Sequence, residues 1–175
     1  ISILVNNAGG GGPKPFDMSM EEFTWAFELN VFSLFRLSQL CVPHMEKASG
    51  GSILNISSMA GENKNVRMAS YSSSKAAVSH LTRNIAFDLG PMNIRVNAIA
   101  PGFFLTAQNR FLLTDEETGE LTSRGQTIID HTPMARFGGP EELLGTVLWL
   151  LSPASEFVSG VIVPVDGGFS AFSGV

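Results

Sequence analysis

Tyr71 and Lys75 stand four residues apart, and Ser58 lies thirteen residues before the tyrosine, at the end of an apolar run. A free phenol, with a pKa of about 10, is a poor base at neutral pH, but an ammonium beside it favours the phenolate. Four residues make roughly one helical turn, so a helix opening near Ser70 would put Tyr71 and Lys75 on one face, within reach of one bound molecule. Such a pair is a tunable acid and base. The same spacing also suits a solvated pair on a helix surface, and the two residues alone leave both readings open.

The surrounding segments narrow the choice. Asn6-Asn7-Ala8-Gly9 follows the apolar Ile3-Leu4-Val5, Ser57-Ser58 follows Ile53-Leu54-Asn55-Ile56, and Pro101-Gly102 follows the run from Ile94 to Ala100. Each polar or glycine-bearing segment therefore closes a predicted strand. Ligands of open parallel sheets bind outside those carboxyl ends.

The elements that must position these residues alternate. After a strand at Ile3 to Asn6, Phe23, Phe27, Asn30, Leu34, Leu37, Cys41 and Met45 recur at helical steps, predicting one long helix from about Ser19 to Met45. Ser19 is its expected cap, with Glu22 three residues on. Gly50-Gly51 precedes a strand from Ser52 to Ser57, and a second helix runs from about Tyr71 to Leu89 and stops at Gly90-Pro91. A strand from Asn93 to Ala100, an irregular segment from Phe103 to about Gly139, a helix from Glu141 to Leu151 and a strand from Val161 to Val165 complete the series. Alternation of this kind predicts an α/β fold, a doubly wound parallel sheet with helices on both faces.

Composition fits that expectation and excludes other classes. The 175 residues are 44% hydrophobic and 15% charged, enough to build a substantial core. A formal net charge of −5 with scattered Lys and Arg argues against a nucleic-acid partner. No run approaches the roughly 18 apolar residues of a membrane span, and no signal segment opens the sequence, so a cytoplasmic, reducing location without a membrane partner is expected. Cys41, the single cysteine, falls in an apolar stripe and reads as a buried, inert thiol. His44, His80 and His131 lack metal-ligand spacing; no metal is implied, and all three read as structural or surface residues. Asn55-Ile56-Ser57 matches a glycosylation sequon, but its place in a buried strand discounts it.

Taken together, Asn6-Asn7-Ala8-Gly9, Asn30 within Glu28-Leu29-Asn30-Val31, Ser58, Tyr71-x-x-x-Lys75, Pro101-Gly102 with Thr106 after it, and Asp166-Gly167-Gly168 resemble the short-chain dehydrogenase/reductase family in order and spacing. The resemblance spans essentially the whole chain. It implies a Rossmann-type fold and reversible hydride transfer between a small-molecule alcohol or ketone and a nicotinamide cofactor, NAD with NADP not excluded. Tyr71 would be the general acid and base, Lys75 would lower its pKa and hold the nicotinamide ribose, and Ser58, chosen over Ser57 by its distance from the tyrosine, would bind the reacting oxygen. Asn30 sits in an apolar stripe, so its amide must find buried partners; the family's matching residue instead holds a water in a proton relay, and both roles are compatible. Asn7, Ala8 and Gly9, together with Pro101, Gly102, Phe104 and Thr106, would contact the cofactor. The family also implies a homotetramer.

Two features depart from a whole family member. The sequence opens at Ile1, one residue before a strand, and nothing in it matches the family's pyrophosphate-binding fingerprint; the run Gly9 to Gly12 is followed by prolines and reads as a flexible loop at the mouth of the site. The expectation is the C-terminal two-thirds of a single domain. A non-catalytic fragment is then an alternative reading.

Substrate is the second departure. Residues 1 to about 100 resemble the 7α-hydroxysteroid branch, implying that Gly11 and Asn63, with Ser58 and Tyr71, meet the substrate. The later segment from Asn109 to Glu120 and the ending from Val165 to Val175 resemble sugar-acid reductases of the fructuronate and mannonate type. A steroid needs an apolar wall, for which Phe103, Phe104, Phe111, Leu112 and Leu113 are candidates. A hexuronate needs a cation, for which Arg110, Arg124 and Lys64 are candidates. The hydroxysteroid reading is preferred, because Gly11 and Asn63 belong to the half that carries Tyr71.

Overall fold

The computed structural model describes residues 1–63, 67–107, 109–115 and 117–172. Four parallel strands, β1 (Ile3–Asn6), β2 (Gly51–Ile56), β3 (Ile94–Pro101) and β4 (Ile162–Val165), lie side by side in chain order. Parallel neighbours need crossovers, and helices supply them. These are α1 (Met20–Phe27), α2 (Ser33–Lys47), a short α3 (Met59–Glu62), α4 (Ala69–Leu89), α5 (Arg110–Leu113), α6 (Ser123–Asp130) and α7 (Leu144–Leu151).

Adjacent strand residues point to opposite faces, so Ile53 and Leu54 enter different cores. Ile53 joins Met45 of α2, Ile85 of α4 and Val96 of β3 on one side; Leu54 joins Ile99 and Leu150 of α7 on the other. All of these side chains are fully or nearly fully buried. The expected sheet with helices on both faces is what forms. At one edge, β1 leaves Ile3 and Val5 exposed.

Two polar devices tie the sheet to its helices. Asn6 and Asn55 are register partners on β1 and β2, and Asn6 Nδ2 donates to Asn55 Oδ1 (2.9 Å), whose own Nδ2 donates to Thr82 Oγ1 (2.9 Å) on α4. The sequon asparagine is thus a buried strut. Arg95 Nη1 donates to the carbonyls of Leu150 (2.9 Å) and Val158 (3.4 Å) and to Ser155 Oγ (3.1 Å), stapling β3 to the end of α7, where helical carbonyls lack intrahelical partners.

The predicted first helix has the expected Ser19 capping box with Glu22. Its helical path is not uniform, however: a π-helical turn at Glu28–Phe32 separates α1 from α2. Such a turn inserts an extra residue and re-aims the side chains on it, and here it carries Asn30. The segment expected to be irregular after Phe103 contains α5 and α6. Thr122 caps α6 by accepting from Gly125 N (3.0 Å), and Gly125 lies so close to the Leu113 carbonyl that no side chain would fit, which presses α6 onto α5. Cys41 is half-buried against the first core, less enclosed than expected. No described helix is long and apolar enough to cross a membrane.

Candidate active site

Tyr71 and Lys75 occupy the first two turns of α4, where α3 crosses it. Gly61 of α3 makes the crossing close: a Cβ there would stand 2.7 Å from Ala76 N and from Lys75 C. Ser58 ends the β2 crossover and caps α3, its Oγ accepting from Ala60 N (3.1 Å). The hydroxyl proton is then free to turn toward the Tyr71 oxygen, whose ionised form Ser58 favours. Ser57 faces inward instead, its Oγ donating to Lys75 O (3.1 Å) and accepting from Ser79 Oγ (2.7 Å).

Lys75 is almost wholly buried, and its Nζ donates to the carbonyl of Ile56 (2.8 Å). Burial without a carboxylate partner lowers its pKa from 10.5 to about 8. The ammonium lies 5.9 Å from the centroid of the Tyr71 ring, over its face. The Tyr71 phenol is raised above its ordinary value, because burial outweighs the opposing hydrogen bond from Ser58. The expected lowering by Lys75 is not what this arrangement produces: the lysine is tied to the Ile56 carbonyl behind the ring, and desolvation of the phenolate dominates. Tyr71 is therefore a proton holder at neutral pH.

Asn30 is 1% exposed and fully engaged. Its Oδ1 accepts from Gly10 N (2.9 Å), while Nδ2 donates to Gly10 O (2.8 Å) and to Ser74 Oγ (2.9 Å), next to Lys75. The glycine run, expected to be flexible, is clamped at Gly10 by this reciprocal pair. Asn30 Oδ1 and Lys75 Nζ also converge: both lie about 3 Å from where a Cβ on Gly9 would stand (2.9 and 3.0 Å).

A cleft of about 640 Å³ opens over Ser58 and Tyr71. Gly11, Gly102, Phe103 and Leu112 line it, as do Met59 and Met68 from the α3–α4 region. Gly11, at φ +137°, packs on the tyrosine, and a Cβ there would meet Tyr71 Cδ2 at 2.7 Å. Gly11→Ala should therefore displace the ring and lower kcat/KM by tenfold or more, a loss that steady-state kinetics beside a thermal melt will separate from unfolding.

Other candidate residues take different places. Asn63 follows α3, its N–H donating to Met59 O (2.9 Å), and is not among the described residues lining the cleft. Phe104 turns to a second cavity against Gly138, Phe111 is exposed, and Leu113 is buried under α6, so only Phe103 and Leu112 of the expected apolar wall face the cleft. Arg124 lines the cleft; Arg110 does not, and Lys64 lies outside the described residues. His131, read as structural or surface, lines it too, as do Thr127 and Ile128, which the sequence reading passed over. Their signal was the helical period of α6, hidden while that segment read as irregular. No group of three potential metal ligands occurs among the described residues.

The residues present fit a nicotinamide nucleotide. Asn7, Ala8 and Gly9 form an exposed strip at the end of β1, Gly9 is closed to any side chain by Asn30 and Lys75, Pro101 ends β3, Gly102 after it lines the cleft, and Thr106 N donates to Oδ1 of Asn109 (2.8 Å), another lining residue. Lys75 has three N–H donors and one described acceptor, so two remain for a hydroxylated ligand.

A family model described as enoyl-(acyl carrier protein) reductase matches residues 1–170. The chain is 57% identical over 168 residues to the 7α-hydroxysteroid dehydrogenase of Escherichia coli (strain K12), covering 96% of this chain and 63% of that enzyme. The chain belongs to the short-chain dehydrogenase/reductase family. This short-chain dehydrogenase/reductase superposes on a 7α-hydroxysteroid dehydrogenase complexed with NADH and 7-oxo glycochenodeoxycholic acid, with a TM-score of 0.89 and 57% identity over 96% of this chain and 63% of that one. A Haemophilus influenzae structure proposed to be a D-mannonate oxidoreductase, with bound NAD, gives a TM-score of 0.91 and 40% identity over 99% of this chain and 69% of that one. Other solved relatives of this family member include one that carries NADP. The chain spans 63% of the length of the hydroxysteroid dehydrogenase it matches.

Proposed function

We propose that this protein interconverts a secondary alcohol and a ketone with NAD, acting as a hydroxysteroid dehydrogenase of the 7α type. The observation that carries the reaction class is the meeting of Ser58 and Tyr71 in the wall of one cleft, with the Lys75 ammonium over the tyrosine ring. When bound, the nicotinamide supplies or accepts the hydride. Tyr71 donates its phenol proton to the ketone oxygen in reduction and takes it back from the alcohol in oxidation. Ser58, fixed by Ala60 N, keeps its proton and donates a hydrogen bond to the oxygen on which charge develops. Lys75 holds ribose hydroxyls with its remaining donors, and Asn30 locks the glycine loop that keeps the ring in place.

The steroid reading rests on the high identity to the 7α-hydroxysteroid enzyme and on the apolar cleft lining from Phe103, Leu112, Met59 and Met68. A sugar-acid substrate is the second reading, favoured by Arg124, Thr127 and His131 on the same walls. Self-association is part of the proposal, supported by Phe32, Phe35, Leu37 and Leu40, which stand exposed along the π turn and α2. The deciding experiment follows absorbance at 340 nm with the full-length protein, NAD or NADP, and a panel of a 7α-hydroxy bile acid and D-mannonate. Turnover of the bile acid supports the first reading, turnover of mannonate alone replaces it with the second, and turnover of neither discards both.

A further inference from the structure

Arg124, Thr127, Ile128 and His131 fall at positions i, i+3, i+4 and i+7 along α6 and its first following residue, and all four line the cleft. That spacing is one face of a helix, so α6 offers the cleft a cation and two polar groups in a row. The row is held firmly. Gly125, next to Arg124, is pressed against the Leu113 carbonyl, and His131 Nδ1 lies 2.7 Å from Thr127 O. A carbonyl partner requires the proton on Nδ1, which leaves Nε2 of the neutral ring as an acceptor toward the cleft.

Arg124 makes no hydrogen bond or ion pair with any described residue. By contrast, Lys14 pairs with Glu22 and Arg136 with Glu142 at 2.6 and 2.7 Å. No Asp or Glu is among the described residues lining the cleft, although the whole chain carries a net charge of −5. Arg124 is thus an exposed cation at the cleft with no carboxylate among the described lining residues to oppose an anionic ligand. A guanidinium with unspent planar donors suits a planar, bidentate anion, and a carboxylate is the anionic group that both proposed substrates carry.

We infer that Arg124 anchors the carboxylate of the substrate, while Thr127 Oγ1, which donates its own proton to Ser123 O (2.9 Å), and His131 Nε2 stand beside it as acceptors for substrate hydroxyls. This rests on the reading that Ser58 and Tyr71 act on an alcohol or ketone in the same cleft. Two sources carry that carboxylate: the side-chain end of a bile acid, a steroid nucleus away from the reacting carbon, and the carboxyl end of a sugar acid, only a few carbons away.

The test uses the full-length protein with its nicotinamide cofactor and two matched pairs, a 7α-hydroxy bile acid with its methyl ester and D-mannonate with D-mannitol. The wild type should prefer the acid of the productive pair by tenfold or more in kcat/KM. Arg124→Gln should cut that preference at least tenfold, mostly through KM, and Arg124→Lys should retain part of it. The pair that responds identifies the source. An equal loss on the acid and its neutral partner, or a preference that survives Arg124→Gln, overturns the assignment. If neither pair turns over, the proposed substrates fail, and the anchor is judged by calorimetry of the NADH-loaded protein with cholate and with mannonate. Binding at least tenfold weaker in Arg124→Gln sustains it; binding equal in both proteins, or absent from both, overturns it.

Discussion

Tyr71→Phe should lower kcat by about 10²- to 10⁴-fold while leaving the fold and cofactor binding intact, the range expected when a positioned proton donor is lost. The ring is held by packing: Gly11 lies against its Cβ and Cδ2, and the α4 backbone beneath it is fixed by Ser74 Oγ donating to Tyr71 O (2.8 Å). Phe keeps that packing and removes only the hydroxyl. Because burial raises the phenol above its ordinary value, Tyr71 arrives protonated at neutral pH, ready for ketone reduction. Oxidation needs the phenolate, so its rate should climb as pH rises above neutral while reduction does not. Stopped-flow or steady-state measurements in both directions, at matched pH, will show the two profiles diverging. A Tyr71→Phe protein that retains wild-type kcat would remove the residue from the reaction.

The placement of Ser58, Tyr71 and Lys75 was legible because they lie at a strand end and on one helix turn, where period and punctuation are strong signals. The strand at Ile3 to Asn6 was read to the residue. Asn30 was legible as a polar residue in an apolar stripe, but its partners were not. The π turn that aims it at Gly10 comes from tertiary packing against the glycine loop and α4, for which a 3.6-residue period carries no sign. The sign of the Tyr71 shift was lost for a related reason. Sequence puts an ammonium near the phenol, yet burial and the Ile56 carbonyl decide which group the ammonium serves. Around α6 the failure was local. Its eight residues include Gly125, a poor helix former, and three β-branched residues, and its cap is a threonine inside a polar stretch, so propensity argued against a helix that packing onto α5 creates.

Lys75→Met should abolish most activity and, in the cofactor-free protein, alter the pH dependence of stability in a set direction. Methionine keeps the unbranched stem but carries neither the charge nor the donor to Ile56 O. In the wild type the folded-state pKa of Lys75 is depressed from 10.5 to about 8, so between those values the unfolded chain binds more protons than the folded one. Unfolding free energy then gains up to about 1.4 kcal/mol per pH unit from this residue across the window, and the full cost of the buried charge, roughly 3 kcal/mol, is present below pH 8. Loss of the partner to the Ile56 carbonyl offsets part of this in the variant, but that term does not titrate. The stability of Lys75→Met relative to wild type should therefore be highest at pH 7 and fall steadily between about pH 8 and 10, as read from urea midpoints at each pH. A difference that stays flat across this range would mean that Lys75 titrates alike in both states and is not desolvated. The same burial that makes the lysine costly at neutral pH fixes its remaining donors between Tyr71 and Gly9, and the activity lost in the variant measures what that position contributes to function.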